Sequence, residues 1–587
     1  MNSTGIASAP AMELDDFLQN SGVTWYDTTK EQLSPSDVLH GLLDYGLFNE
    51  KVPPCFSSAG LAQIVLETMS GLLDEPDESK LKKAIGKCAH DYVRYEALRD
   101  SNIPRHLGIP HPQAYAVQAL AIFKHWQTIA VHCNQPDPAF SRIHVRHVGD
   151  GKIFEMNYKG DERFQFEEDE LRWMSGAQFV VSADIATCFP SIYTHSVPWA
   201  LHGKEAAKES DSLIDLAGNM LDRCTQATRD RQTNGLLIGP HASNIISEII
   251  LTQIDADLQK KDYRKVKRHV DDYRFYAADF EEAEQFIRDL GMGLRAFEMS
   301  LNEKKTKILP LPSPSDEDWV LVLNRFHFSN DELKFSEIRS YLDLALTCGQ
   351  TLGKSTPLNY AIKVLAKMHT RKNPGEPDVI APRNLSLRAK RMYTQEVINL
   401  ALAYPYLVPL LDKHVFTPYW HDGVLAKIAE FSTGLIRIGL RKLYPDTVAH
   451  ALFLAIKYNF VLDLTDDQLI GVIALDDCIG NVLLLEYAVL QGRKKIAARV
   501  KKRANELLKA DAREKDKHWL LIYQVWSETE LEGNGQGFLA DMKKKGFQFF
   551  TPPKPAVEDG IVGTSSPVPV SANNIVALSE IKPAPLQ

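Results

Sequence analysis

Two adjacent carboxylates, Asp271 and Asp272, stand between two strand-like runs, Val266-Lys267-Arg268-His269-Val270 and Tyr273-Arg274-Phe275-Tyr276-Ala277. Both runs are rich in β-branched or aromatic residues, so the pair reads as the tip of a hairpin. A hairpin tip projects charge into a cleft without burying it unpaired, which suits a divalent metal ion. A third acid, Asp184, closes the apolar run Phe179-Val180-Val181-Ser182-Ala183. An acid there is costly unless a cation or hydrogen bonds compensate it. Phosphoryl transfer assisted by two divalent ions roughly 3.5–4 Å apart needs several carboxylates converging from separate elements. Asp184 on one strand and Asp271-Asp272 on a neighbouring hairpin meet that need. Singly, each is ordinary, a solvated turn or a strand-end cap; the case rests on their combination.

The elements that must position these acids are partly visible. Thr233 to Asn244 is a Gly/Pro-marked loop feeding helical spacing from Ile245 to Leu258, and such a loop lets backbone approach a ligand closely. Ser300-Leu301-Asn302-Glu303-Lys304-Lys305-Thr306-Lys307-Ile308 places cations before another apolar strand. In this order, the four segments resemble the palm of a reverse transcriptase. Asp184 with Phe189 is similar to motif A, Gly235 to Asn244 to motif B, His269-Val270-Asp271-Asp272 to motif C, and Leu301 to Thr306 to motif D. The wording Asp184-Ile-Ala-Thr-Cys-Phe-Pro-Ser-Ile-Tyr-Thr-His195, Ile238-Gly-Pro-His-Ala-Ser-Asn244 and Asp271-Asp-Tyr-Arg-Phe-Tyr276 resembles the bacterial antiphage enzymes, both abortive-infection (AbiK-like) and defence-associated "unknown group" reverse transcriptases. Leu47 to Phe56 resembles their opening segment, so the likeness spans roughly residues 40–320.

The resemblance implies an α+β fold: right-hand polymerase fingers and palm, an antiparallel sheet with helices, then an all-α helical-repeat domain. It implies that Asp184, Asp271 and Asp272, with the backbone carbonyl of Ile185, ligate two Mg2+ ions, for which Mn2+ is a substitute. Lys305 would then protonate or neutralise the leaving pyrophosphate, with Lys304 and Lys307 close behind. Phe189 would be the steric gate that fills the space of a ribose 2′-hydroxyl, making dNTPs the substrates. Gly239, Arg105 and Arg146 would hold the incoming nucleotide, with Arg142, His144 and Lys159 as further fingers cations. Two departures stand out. His269 takes the place where Tyr commonly opens motif C, and packing or a primer contact suits it better than acid–base work. Ile238 precedes Gly239 where many relatives carry Gln, which fits loosely templated or untemplated synthesis.

Composition sets the outer bounds. The 587 residues allow two or three domains, and 44% hydrophobic with 24% charged residues is ordinary for a soluble globular protein. A net charge of −9 works against nucleic-acid binding unless cations cluster locally. Such clusters occur from Arg383 to Arg391 and at Arg493, Lys494, Lys495, Arg499, Lys501, Lys502 and Arg503; an exposed helix face is the alternative reading. Seven scattered cysteines without paired metal spacing, no signal peptide and no long apolar span read as a cytoplasmic protein with reduced thiols and no membrane partner.

Four units follow: an N-terminal helical extension (1–95), fingers and palm (96–330), a HEAT-like helical array in place of a thumb (331–548), and a disordered tail (549–587). The array is read from apolar residues at helical spacing, in Tyr341 to Leu346, Val397 to Leu411, Leu425 to Leu440, Thr447 to Tyr458 and Val482 to Leu490. The leading reading is an antiphage DNA polymerase of reverse-transcriptase type that extends a 3′-hydroxyl, protein-primed and untemplated in some relatives. Its expected partners are dNTPs, a DNA product, a non-coding RNA as template or scaffold, and a second copy or second defence protein. The alternatives are an RNA-templated retron-like or intron-like enzyme, and a catalytically silent helical scaffold. Product sequence separates the first alternative from the leading reading, and an Asp271/Asp272 variant in a defence assay separates the second.

Overall fold

The computed structural model of the protein describes residues 33–99, 104–134, 140–141, 145–149, 151–154, 170–312, 318–329, 332–366, 368–370 and 379–553. Its architecture is α+β. Two antiparallel hairpins come first: β1 (Tyr92–Leu98) with β2 (Pro104–Pro110), then β3 (Val145–Gly149) with β4 (Lys152–Phe154). The central sheet has four antiparallel strands, β5 (Phe179–Asp184), β6 (Val266–His269), β7 (Asp272–Ala277) and β8 (Lys307–Pro310), in the order β6-β7-β5-β8. Val180, Val181 and Ala183 of β5 and Phe275 and Tyr276 of β7 are buried, and these apolar residues fix the register. In that register Asp184 is paired with Asp272, so a one-residue slip of either strand would separate the acids.

The Phe280–Ala296 helix packs on β5 and β7. Asp279 caps its start by accepting from Glu282 N–H, and Ala283, Phe286, Leu290 and Leu294 form its buried stripe. Phe286 stacks on Phe275 of β7 with ring centroids 4.5 Å apart. The His241–Gln259 helix runs beside it and carries Glu248 and Asp255, two turns apart on one face.

The C-terminal half is an array of helices, including Phe335–Leu352, Leu387–Ala403, Val424–Lys442, Pro445–Lys457, Cys478–Leu490 and Lys494–Glu506. A short hairpin of β9 (Met368–Thr370) and β10 (Val379–Ala381) interrupts it. The array closes onto β1 through a buried contact: Tyr95 O–H donates to Asp446 Oδ1 at 2.5 Å, and Leu98 N–H to Oδ2 at 3.2 Å. No described helix is long and apolar enough to cross a membrane.

Several sequence boundaries move. A cut at 95/96 falls inside β1 and would break its pairing with β2. The Asp318–Asn324 helix belongs with the array rather than the unit before it, since buried Trp319 meets Tyr360 edge-on at 5.6 Å. The tail does not begin at 549. Phe549 and Phe550 are buried, Phe549 C=O accepts from Ser57 N–H at 2.8 Å, and Thr551 N–H donates to Cys55 C=O at 2.9 Å. Ahead of β3 lie two helices, Pro112–Lys124 and Trp126–Cys133, broken at His125. Likewise Val397 to Leu411 breaks at Tyr404-Pro405, because proline lacks the N–H that would continue the helix. Residues 554–587 lie outside the described residues.

Candidate active site

Asp184 ends β5 almost fully buried, 6% exposed, and both its oxygens are engaged. Asn302 Nδ2 donates to one at 2.8 Å and Lys305 Nζ to the other at 2.6 Å. Asp184 C=O accepts from Asn302 N–H at 2.7 Å, which fixes the Leu301 to Thr306 turn beneath the strand end. Asp271 and Asp272 occupy the expected hairpin tip, with His269 paired to Asp272 across it. The tip is tight: Val270 has φ +58°, a left-handed conformation that is unusual for a β-branched residue. Asp271 C=O accepts from Ile185 N–H at 3.1 Å, binding the tip to the end of β5.

The electrostatics mark a floor short of positive charge. Burial, then the Asp271 charge, then a hydrogen bond and charge from Asp184 push the Asp272 carboxyl up to about 6. Burial and the Asp184 charge also raise Asp271. The Asp184 contact raises Lys305, which keeps it cationic. Three clustered acids, offset only in part by Lys305 and Arg105, are the condition a divalent cation relieves, and an all-oxygen donor set is the chemistry that Mg2+ and Mn2+ prefer. The residues therefore fit the implied metal. The compact three-donor clusters within 4.8 Å among the described residues lie elsewhere, at His90/His111/Asp516 and Asp476/Glu514/His518.

These acids form one wall of a cleft of about 1100 Å³. Ile185, Phe189, Ile238, Asn302 and Lys305 line it too, and half-buried Phe189 lies in the short Cys188–Ser191 helix. Four arginines line the same cleft, Arg94 and Arg99 from β1 and its end, Arg105 from β2, and Arg229 after the Ala217–Ala227 helix, with Glu96 of β1 among them. Arg94 and Arg229 lie over the Tyr92 ring at 5.4 and 6.0 Å. Arg229 donates to Asn234 C=O, which the left-handed Gly235 permits, while its buried Nε has no hydrogen-bond partner. Clustered acids and guanidinium groups lining one cleft suit a polyphosphate held between metal ions and arginines.

Of the expected site residues, Asp184, Ile185, Phe189, Arg105, Asp271, Asp272 and Lys305 line the same cleft. Gly239 (φ +132°) is not among the lining residues; it packs against Gly108 C=O and Asn49, and Ile238 C=O accepts from Gly108 N–H at 3.0 Å, joining the motif-B loop to β2. His269 is exposed at the end of β6. Arg146 lies on β3, with its side chain outside the described residues, as are Arg142, His144 and Lys159 altogether. Lys494, Lys501 and Lys502 are exposed on the Lys494–Glu506 helix, whereas Lys495 meets Asp467 at 2.8 Å. Arg493 is committed inside the array, donating to Leu464 C=O at 3.1 Å and Asp466 at 2.9 Å. Tyr92, Arg94, Arg99 and Arg229 escaped the sequence reading because they come from segments far from the acids.

No family model matches the chain, and no curated protein matches it. Among solved structures, one similar chain is telomerase from Candida albicans in complex with a TWJ fragment of telomeric RNA. It has 11% identity and a TM-score of 0.24, over 74% of this chain and 65% of that one. The match thus spans less than two thirds of the telomerase chain. At that TM-score the likeness decides nothing about this molecule.

Proposed function

We propose that the chain is a DNA polymerase of reverse-transcriptase type that adds dNTPs to a 3′-hydroxyl in antiphage defence. The observation that carries the chemistry is the pairing of Asp184 with Asp272 beside Asp271 in a cleft that Arg94, Arg99, Arg105 and Arg229 also line. The defence role rests on the motif wording and on a helical array following the palm.

Asp184, Asp271 and Asp272 would hold the divalent ions, with the Ile185 carbonyl beside them. Those ions, when bound, supply activation of the 3′-hydroxyl and stabilisation of the leaving pyrophosphate. The chain's own groups do the rest. The arginines lining the cleft hold and orient the triphosphate. Lys305, kept cationic by Asp184, offsets charge on the leaving group and can give up its proton there. Phe189 narrows the cleft where a 2′-hydroxyl would sit.

The test is incorporation: purified protein with Mg2+ and each labelled dNTP, with and without co-purified RNA. Incorporation is expected for the wild type and not for the Asp271→Ala/Asp272→Ala variant. A wild type that incorporates no dNTP under any of these conditions overturns the reading.

A further inference from the structure

Arg268 is a charged residue in the middle of a hairpin, yet its side chain is fully buried. All five of its guanidinium donors are used. Nε and Nη2 fork onto Asp255 at 2.9 and 2.7 Å, and Nη1 and Nη2 fork onto Glu248 at 3.0 and 2.8 Å. The remaining Nη1 donor reaches Val270 C=O at 3.1 Å. Tyr273 O–H adds a bond to Asp255 at 2.8 Å, and Arg268 N–H donates to Phe140 C=O at 2.7 Å. The cluster therefore joins three things: the helix that leaves the motif-B loop, the two strands of the hairpin, and the turn carrying the acids.

Stability alone is a weak reason for this arrangement. Burying one cation with two carboxylates costs several kcal/mol per ion in desolvation, and a well-packed apolar substitute is often equally stable. What only a planar, five-donor cation supplies is a donor fixed in space at the Val270 carbonyl, its plane set by two forks. That donor matters because Val270 is left-handed, a conformation unfavourable for a β-branched L residue, so other turn conformations compete. Asp271 follows directly, and its own C=O is pinned to Ile185 N–H. The tip is thus held on both sides of Asp271's Cα–N bond, by Arg268 before it and by β5 after it.

We propose that Arg268 is a positioning residue: by gripping the Val270 carbonyl from a frame of Glu248 and Asp255, it sets where Asp271 and Asp272 stand relative to Asp184, and so the affinity of the site for divalent ions. This rests on the nucleotidyl-transfer reading of the same site. It also makes the His241–Gln259 helix the ruler for that spacing, since both acids of the frame belong to it.

The test uses the full chain with Mn2+ as probe. Wild type, Arg268→Lys and Glu248→Gln are compared for Mn2+ binding, read as loss of the free-ion EPR signal, and for dNTP incorporation as a function of Mn2+ concentration. Far-ultraviolet circular dichroism reports folding. Lysine keeps the charge but cannot span both acids and the carbonyl, so Mn2+ affinity should fall about tenfold or more, in the range typical when support of a metal ligand is lost. The Mn2+ concentration for half-maximal incorporation should rise in parallel, with the rate at saturating Mn2+ largely recovered. A purely structural role would reduce the active fraction without moving either metal dependence. Folded Arg268→Lys protein that binds Mn2+ like the wild type overturns the proposal. Should that variant not fold, Glu248→Gln, which keeps the Asp255 fork, decides it by the same readouts. A wild type that neither binds Mn2+ nor incorporates dNTPs overturns the functional reading and this proposal together. A working wild type with indifferent variants overturns this proposal alone.

Discussion

The floor of the cleft and the cluster of Asp476, Glu514 and His518 in the helical array both gather potential metal ligands, and the tighter one is the less promising. In the array cluster the donor atoms lie within 4.8 Å of one another. Arg503 already serves it, 2.9 Å from Asp476 and 3.6 Å from Glu514, and buried His518 sits 3.5 Å from Glu514. Its charges are largely answered from within the array. At the cleft floor the acids are raised by burial and by one another, and Lys305 and Arg105 offset this only in part, beside an open cleft. The difference teaches that unanswered charge facing a cleft, rather than closeness of donors, marks a ligand site.

The sharpest way to break this comparison is to disarm both clusters in parallel. Asp271→Ala/Asp272→Ala should cut dNTP incorporation by about 10³-fold or more, since metal ligation and transition-state charge stabilisation are lost together. Asp476→Asn/Glu514→Gln should leave incorporation within about twofold of wild type, measured under the same Mg2+ conditions. Equal losses would show that the array cluster participates, and the contrast drawn between them would fall.

How far the two regions were legible in the sequence follows the range of their interactions. The hairpin acids were readable because strand alternation and a two-residue turn are local signals, and the array because helical periodicity is local too. Asn302 was in view, but its bond to Asp184 spans more than a hundred residues and no pattern announces it. Arg268 reads as solvated charge on a half-buried strand, since Glu248 and Asp255 become its partners only once the helix has folded onto the hairpin. Arg94 and Arg229 meet only at the Tyr92 ring. Phe549 and Phe550 abut a proline-rich stretch and so read as tail, whereas their pairing with Cys55 to Ser57 comes from the other end of the chain.

A second test lies beside the array cluster. Asp477 is buried at the start of the Cys478–Leu490 helix, which it caps by accepting from Gly480 N–H at 2.5 Å. Burial, with the Asp446 charge adding, pushes its carboxyl up to about 7. The unfolded chain loses this proton near the ordinary aspartate value, while the folded chain keeps it until about pH 7. Between roughly pH 4 and 7 the folded state therefore binds more protons, so this group's contribution to stability falls as pH rises and levels off above about 7. Asparagine caps equally well and does not titrate. Chemical unfolding of wild type and Asp477→Asn should thus diverge in the variant's favour across that window, by up to about 1.4 kcal/mol per pH unit. A pH-independent difference would show that Asp477 is already ionised in the folded chain across that window, so that its burial leaves no trace in the titration.

The smallest expected effect separates committed cations from available ones on the Lys494–Glu506 helix. Arg493, Lys495 and Arg503 are engaged with Asp466, Asp467 and Asp476, so their charges are spent within the array. Lys501 and Lys502 are exposed and make no such ion pair among the described residues. If the array carries the product strand, only the available pair contributes phosphate contacts. Each contact to a single strand lowers the slope of log affinity against log salt by about 0.7 when removed. Lys501→Ala/Lys502→Ala should therefore flatten that slope by roughly 1.4 in fluorescence-anisotropy titrations with single-stranded DNA. Lys495→Ala should leave it unchanged, because Lys495 has to break its pair with Asp467 before it can meet a phosphate. An equal flattening by Lys495→Ala would mean that the pair opens in the complex, and that an exposed ion pair in the array holds its charge no more firmly than the open floor of the cleft does.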